Sequence, residues 1–266
     1  MAVRIARATG AQVARSAGGR GLRITRRERL LKRPAFILSS VRSGSTLLRM
    51  ILNSHPEIYA PHELHLSNLR VTVKDDYARE SMAELGLSEF ELTHLLWDRV
   101  LHHELRRSGK SVLVEKTPNH VFIWTSLARC WPDARFIFLL RHPAAIVDSW
   151  ARARPKGGRE AALASVGKYV AALNEARTVL PGRTVRYEEL VTDPEGQIRS
   201  LCDFLEVEWE PTMLDYGRFD HGNIKPGLGD WTERIRSGKV QAPRQLPPLT
   251  DIPDDLMATA RNWGYV

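Results

Sequence analysis

An apolar strand that runs through a Gly/Ser loop directly into a helix is the feature that most constrains the fold of this chain. Segment 36–53 reads FILSS, then VRSGST, then LLRMILN. The first part is typical of a fully buried parallel strand, and the last part has apolar residues at helical spacing. A loop of this composition presents several backbone N–H groups to one point at the positive end of a helix dipole. The segment therefore predicts a site for a phosphate-like anion.

The side chains of this loop also favour anion binding, and they differ from those of a nucleotide-triphosphate P-loop. The P-loop pattern G-x-x-x-x-G-K-[ST] fails twice over 39–46, because Ser39 replaces the first Gly and Ser45 replaces the Lys. The loss of that Lys favours an anion of lower charge that is bound without a metal ion. A P-loop-type kinase or nucleotide-binding module is the alternative. The side-chain donors of the loop are Arg42, Ser43, Ser45 and Thr46.

The rest of the chain alternates short apolar runs with amphipathic segments. Strands are predicted at 35–40, 111–115, 134–140 and 184–187. Helices are predicted at 46–53, 87–107, 143–152, 163–179 and 194–205, and residues 219–249 are predicted to be mostly loop. This alternation predicts an α/β fold, a single three-layer domain over 34–266 with a central parallel sheet and helices on both faces.

Charge is distributed very unevenly along the 266 residues. Residues 1–33 contain ten of the 39 Lys and Arg residues and one of the 31 acidic residues, which leaves 29 basic and 30 acidic residues for the remainder. The balanced body argues against a general nucleic-acid-binding surface. Residues 1–33 are predicted to form a basic, flexible arm. The alternatives are a peripheral contact with anionic lipid, RNA or a partner, and an organellar transit peptide.

Two further counts limit the class of protein. Cys130 and Cys202 are the only cysteines, which excludes a disulfide-stapled scaffold and favours a reducing, cytoplasmic location. No apolar run reaches the roughly 18 residues of a membrane span, so no membrane-spanning segment is expected. The nine His residues show no ligand spacing with Cys, so no metal site is predicted.

A second strand–turn–helix segment, RFIFLLRHPAAIVDSW at 135–150, predicts a second anion site. Arg141 stands where the strand ends, and Pro143 suits the first turn of a helix. Ser149 follows Arg141 by eight residues, about two helical turns, so its hydroxyl can meet the same ligand. The chain therefore contains two candidate anion sites on neighbouring strands.

At these residues the chain resembles the sulfotransferase superfamily, whose members use 3′-phosphoadenosine-5′-phosphosulfate (PAPS). The family's 5′-phosphosulfate loop, [PV]-[KR]-S-G-[ST]-[ST], is similar to residues 41–46, with Arg42, Gly44 and Thr46 in place. Arg141 with Ser149 resembles the 3′-phosphate signature. The longer string from 36 to 66 looks most like stand-alone bacterial sulfotransferases and the sulfotransferase domains of polyketide synthases. Lys225 and Gly227 resemble a C-terminal loop that closes over the 3′-phosphate.

The resemblance implies transfer of the sulfuryl group from PAPS, a released co-substrate, to a hydroxyl of a small-molecule, lipid or carrier-bound acceptor. Glu63 follows Arg42 by 21 residues, the spacing of the catalytic Glu in tyrosylprotein sulfotransferases, and is the leading general base. His65 is the rival base. Lys116 follows the second strand in a family-like K-[DST]-P stretch and is expected to stabilise transition-state charge with Arg42. His120 is placed at the acceptor pocket. A non-catalytic binding protein on this scaffold is a third hypothesis, while the acceptor and the oligomeric state stay open.

Overall fold

The structure is a computed structural model that describes residues 29–222 and 233–266. Five strands form one parallel sheet in the order β2-β3-β1-β4-β5. The central strand, β1, therefore has β3 on one side and β4 on the other. The strands are β1 (Ala35–Ser39), β2 (Ile58–Tyr59), β3 (Val112–Glu115), β4 (Arg135–Leu140) and β5 (Gly182–Arg186).

Helices cover both faces of the sheet, which confirms the predicted α/β fold. Alternate residues of β1 show this: Phe36 and Leu38 join one apolar core, and Ala35 and Ile37 join the other. The first core is completed by helices α3 to α6 and α10, the second by α1, α7 and α8. The helices are α1 (Ser45–Asn53), α2 (Asp76–Glu84), α3 (Glu89–Ser108), α4 (Trp124–Cys130), α5 (Pro143–Ala153), α6 (Gly158–Val179), α7 (Tyr187–Thr192), α8 (Pro194–Leu205), α9 (Glu233–Arg236) and α10 (Asp254–Asn262).

All four predicted strands and all five predicted helices are present, with shifted ends. The helix predicted from 163 begins five residues earlier, at Gly158. The elements that the sequence did not reveal are short or lack an apolar face. Strand β2 has two residues, and α2 buries none of its side chains. Hydrophobic periodicity signals only elements that are long enough to bury a stripe.

The described part of the predicted basic segment packs on the body of the protein. The amides of Leu30 and Leu31 both donate to the buried carboxylate of Asp98 on α3, at 2.8 and 3.1 Å. Arg33 pairs with Glu206, which also binds Arg135. Residues 1–28, with most of the predicted arm, lie outside the described residues. No helix within 29–222 and 233–266 has the length and apolar content of a membrane span.

Asp98 offers a test of this packing. The same carboxylate accepts from the indole of Trp131 at 3.0 Å, so Asp98→Ala leaves three donors without their acceptor. We expect a loss of about 2–4 kcal/mol in the free energy of unfolding, measured with urea, since each orphaned buried donor costs about 1–3 kcal/mol. The exposed Asp203 of α8 is the matched control, and Asp203→Ala should change stability by no more than about 0.5 kcal/mol. Equal losses would contradict this role for Asp98.

Candidate active site

The carboxyl ends of the strands open into one cavity of about 770 Å³. Ligands of open parallel sheets bind at this edge, where the strand order reverses, and here the reversal falls at β1. Eight of the predicted site residues line the cavity. They are Arg42, Gly44, Ser45, Thr46, Glu63, His65, Arg141 and Ser149. Ser43 and Lys116 lie just behind the wall, where both are buried.

The loop between β1 and α1 has the geometry of an anion cradle. Helix α1 begins at Ser45, so its first backbone N–H groups point into the cavity without helical acceptors. The hydroxyl of Ser43 is buried and has no protein partner among the described residues. A buried hydroxyl without a protein partner beside a helix N-terminus fits an anionic ligand that accepts from it.

Glycine is the residue that fits the loop at position 44. Its φ of 88° lies in the left-handed region, and a Cβ built on it would lie 2.3 Å from Cδ2 of Tyr187. The ring of Tyr187, at the start of α7, therefore packs directly on the loop backbone. The same ring also lines the cavity.

The two predicted anion sites are in direct contact. Nη1 of Arg141, at the end of β4, donates to the carbonyl oxygen of Arg42 at 2.7 Å. Nε of Arg42 donates to the hydroxyl of Ser149 on α5 at 3.0 Å. Arg141 stacks on Tyr187 with its Cζ 4.5 Å from the ring centroid, and burial lowers its pKa. The loops after β1 and β4 thus form one continuous positive surface.

Glu63 lies between two basic side chains. Lys116 Nζ donates to Oε1 of Glu63, and Nε2 of His65 lies 3.4 Å from Oε2. The Lys116 side chain is 2% exposed and that of Glu63 is 14% exposed. Burial lowers the pKa of Lys116, and the carboxylate of Glu63 opposes that effect. The cation predicted to stabilise transition-state charge therefore contacts the predicted base.

The loop after β3 is fixed by a fully buried cluster beneath the cavity. Glu115 accepts from Thr117 at 2.7 Å and from the amide of Leu64, next to Glu63, at 3.1 Å. Nε2 of His120 accepts from the amide of Leu66, so the contacts assign its proton to Nδ1, which faces Glu115 at 2.6 Å. Burial opposes ionisation of Glu115, but these partners hold its pKa below the usual value. His120 is thus buried in the support of the loop, and its predicted place at the acceptor pocket is wrong.

Helix α1 also holds the segment that carries Glu63. Arg49 Nη1 donates to the carbonyl of Ala60 at 3.0 Å, and Asn53 Oδ1 accepts from the amide of Ala60 at 2.9 Å. Both side chains are buried and lie four residues apart, on one face of the helix. Burial lowers the pKa of Arg49 to about 10, while the charge of Glu63 opposes the shift. The anion-binding helix therefore also positions the predicted base.

Backbone strain is concentrated at this site. Three non-glycine residues of the described chain have a left-handed φ, namely Arg42 at 60°, His65 at 48° and Glu206 at 61°. Two of the three line the cavity. Such conformations cost about 1–3 kcal/mol and persist where the surrounding structure enforces them, often at functional sites.

Other residues of the cavity carried no recognisable sequence signal. Asn119, Trp150, Arg154 and Tyr169 line its side near β3 and α6, and Lys239 and Arg244 line another part of the wall. They come from separate segments, so no motif unites them. Lys225 and Gly227 lie outside the described residues. Across 29–222 and 233–266, no three His, Cys, Asp or Glu side chains are grouped as metal ligands.

Comparison with known proteins identifies the family. A model of the sulfotransferase family matches residues 34–211, more than half of the chain. The chain belongs to this family. The sulfotransferase domain of the Synechococcus PCC 7002 olefin synthase has a TM-score of 0.61 and 27% identity, over 89% of this chain and 97% of that one. The domain from the curacin biosynthetic pathway has a TM-score of 0.63 and 24% identity, over 89% and 99%, and shares the fold.

Curated relatives match at similar identity. Protein-tyrosine sulfotransferase 1 of Danio rerio is 28% identical over 198 residues, which are 68% of this chain and 55% of the relative. Nodulation protein NoeE of Sinorhizobium fredii is 29% identical over 201 residues, 62% of this chain and 48% of the relative. The chain thus spans about half the length of these two relatives.

The contact between Gly44 and Tyr187 can be tested by matched glycine variants. Gly109 has a similar φ of 71°, but a Cβ there meets nothing within 4 Å. We expect Gly109→Ala to lower the free energy of unfolding by about 1–2 kcal/mol, the cost of a left-handed Ala. Gly44→Ala adds the clash and should cost about 2–5 kcal/mol. In a Tyr187→Ala background, Gly44→Ala should cost no more stability than Gly109→Ala. A larger loss for Gly44→Ala in that background would contradict packing of the ring on the loop.

Proposed function

We propose that this protein is a PAPS-dependent sulfotransferase that moves the sulfuryl group to a hydroxyl of a small-molecule, lipid or carrier-bound acceptor. The contact of the two anion-binding loops, Arg141 to the carbonyl of Arg42 and Arg42 to Ser149, carries the proposal. One ligand that is charged at both its 3′ and 5′ ends fits two adjoining cationic loops. Family membership supports the same reaction.

Each loop takes one end of the donor in this proposal. The amides at the start of α1, with the hydroxyls of Ser43, Ser45 and Thr46, bind the 5′-phosphosulfate. Arg141 and Ser149 bind the 3′-phosphate. Lys225 and Gly227 add contacts to that phosphate by resemblance.

Glu63 removes the acceptor proton while the acceptor oxygen attacks sulfur. A new O–S bond forms, and the S–O bond to the 5′-phosphate breaks, which releases adenosine 3′,5′-bisphosphate. A positioned general base contributes about 10²–10⁴-fold to such a step. His65, 3.4 Å from Glu63, is the alternative base or orients the carboxylate.

The ion pair between Lys116 and Glu63 links proton transfer to charge stabilisation. Before the reaction, Lys116 contacts the carboxylate of Glu63. When Glu63 accepts the proton it becomes neutral, and the charge of Lys116 is released for the sulfuryl oxygens and the leaving phosphate. Arg42, on the opposite loop, supplies the second cation. Lys116 and Arg42 offset the negative charge that develops on the sulfuryl oxygens and the leaving phosphate, so the proposed reaction requires no metal ion.

Two lesser parts of the proposal concern location. Cys130 and Cys202 are free and buried, and burial raises their thiol pKa values to about 12 and about 11. Unpaired, unreactive thiols favour a reducing compartment, and we infer the cytoplasm.

We also infer that residues 1–33 serve as a basic arm for peripheral contacts, with the body having no specific nucleic-acid site.

Calorimetry with matched nucleotides tests the donor. Adenosine 3′,5′-bisphosphate should bind at least about tenfold more tightly than ADP, because ADP has no 3′-phosphate for Arg141. Arg141→Gln should remove most of this preference, since the variant lacks the guanidinium for the 3′-phosphate. EDTA should change neither affinity. Tighter binding of ADP, or a requirement for Mg²⁺, would instead indicate the kinase-type alternative.

The catalytic roles of Glu63 and Lys116 are tested by the rate at which adenosine 3′,5′-bisphosphate is released from PAPS. Phenols and aliphatic alcohols at millimolar concentration serve as acceptors. Glu63→Gln should slow release by about 10²–10⁴-fold. Lys116→Met should slow it by about 10²–10³-fold. Nucleotide affinity should stay within a few fold in both variants.

His65→Asn is the matched variant for the choice of base, because Asn tolerates the left-handed φ of this position. We expect its rate to fall less than about tenfold, well short of the loss for a general base. A large loss in His65→Asn beside an active Glu63→Gln would make His65 the base. A full rate in Lys116→Met would contradict the charge-stabilising role.

A further inference from the structure

The cavity extends beyond Glu63 into a region with its own cation. Asn119 follows Lys116 by three residues, and Tyr169 of α6 donates a hydrogen bond to its Oδ1. Trp150 and Arg154 come from the end of α5, where Arg154 is its C-terminal cap. Arg154 lies five residues after Ser149, roughly 7.5 Å further along the helix from the contact with Arg42. We call these four side chains the distal wall.

Arg154 is exposed to solvent at this wall and stacks on a neighbouring ring. Its Cζ lies 4.5 Å from the centroid of the Trp150 ring. A guanidinium stacked on an aromatic ring keeps its planar fork of donors available for a carboxylate or phosphate. Within the described chain, Arg154 has no ion pair with a carboxylate, whereas the nearby Arg159 is paired with Asp148. The wall therefore has a positive charge that the fold leaves unneutralised.

Tyr169 lines the same cavity as this cation and the predicted base. Burial raises the pKa of Tyr169, while the charges of Arg154 and Glu63 act on it in opposite directions. Its ring also packs against Phe122 at 4.7 Å between centroids. An acceptor whose hydroxyl reaches Glu63 therefore occupies a cavity that the rings of Tyr169 and Trp150 and the guanidinium of Arg154 also line.

We propose that the acceptor carries an anionic group, a carboxylate or a phosphate, separated from its reactive hydroxyl by a flat apolar portion, and that Arg154 binds this group. Trp150 and Tyr169 enclose the apolar portion, and Arg154 determines specificity for the anion. The inference rests on the proposed function, since it assigns the acceptor side of the same cavity. Arg42, Lys116 and Arg141 are assigned to the donor, and Arg154 is assigned to the acceptor.

Four matched phenols probe the wall on protein saturated with adenosine 3′,5′-bisphosphate. They are 4-hydroxyphenylacetate, 4-hydroxybenzylphosphonate, 4-hydroxyphenylacetamide and tyramine, which differ only in the distal group. Ligand-observed NMR titration up to tens of millimolar gives each affinity. The carboxylate or the phosphonate should bind about tenfold more tightly than the amide, and the tighter of the two identifies the anion.

Charge reversal makes the assignment specific. Arg154→Gln should remove the preference for the anions, and Arg154→Glu should transfer it to tyramine. Arg152 is exposed on the same helix but does not line the cavity, so Arg152→Glu is the control and should change each affinity by less than about twofold. If the anions bind no more tightly than the amide, or if Arg152→Glu acts as strongly as Arg154→Glu, the proposal is wrong.

Failure of the proposed function has a different signature. If adenosine 3′,5′-bisphosphate itself does not bind, the donor assignment fails, and the four phenols are then titrated against the free protein. A preference for the anions that reverses in Arg154→Glu would still establish the distal anion site. An Arg154→Gln variant that loses nucleotide affinity tenfold would place Arg154 at the donor and overturn the inference.

Discussion

Everything at the carboxyl edge of the sheet depends on the contact between the loops after β1 and β4. Arg141 donates to the carbonyl of Arg42, and Arg42 donates to Ser149. These bonds hold Arg42 in a left-handed backbone conformation that a side-chain-bearing residue rarely adopts. The strain is tolerable because the neighbouring strands β1 and β4 are fully buried and pair along their whole length. A rigid sheet thus supports a loop whose own conformation is unfavourable.

Buried charge is the second organising constraint. Glu63, Lys116 and Arg49 are brought together where water is scarce, and one acid faces two cations. An isolated charge here would be costly, so each group depends on the others and on backbone partners. The Glu115–His120 cluster beneath them fixes the same loop through the contact between the two side chains and through the hydrogen bond from the amide of Leu64 to Glu115. The site therefore has a buried supporting layer, above which Glu63 and His65 line the cavity.

The parts of this architecture differ in how visible they were in the sequence. The strands at 35–39 and 135–140 were predictable because they are apolar runs buried on both faces. The places of Arg42 and Arg141 were predictable because each lies between the end of a strand and the start of a helix. Ser149 was predictable from its spacing along the helix after Arg141. His120 was misassigned, since its position close to Lys116 in the chain does not reveal which way its ring points. Helix α2 gave no signal because it buries nothing.

The sequence by itself determined four of the five described strands, five of the ten described helices, the two loops that line the cavity and the resemblance to the family. All of these depend on local patterns, namely runs of apolar residues, helix starts and short motifs. Only the tertiary structure decided that Lys116 contacts Glu63, that Tyr187 packs on Gly44, and that Arg154 stacks on Trp150 beside Tyr169. Those contacts join segments that are distant in the chain, apart from the last stacking pair, and no periodicity encodes them. They arise because parallel strands bring their loops to one edge, where packing fixes which side chains meet.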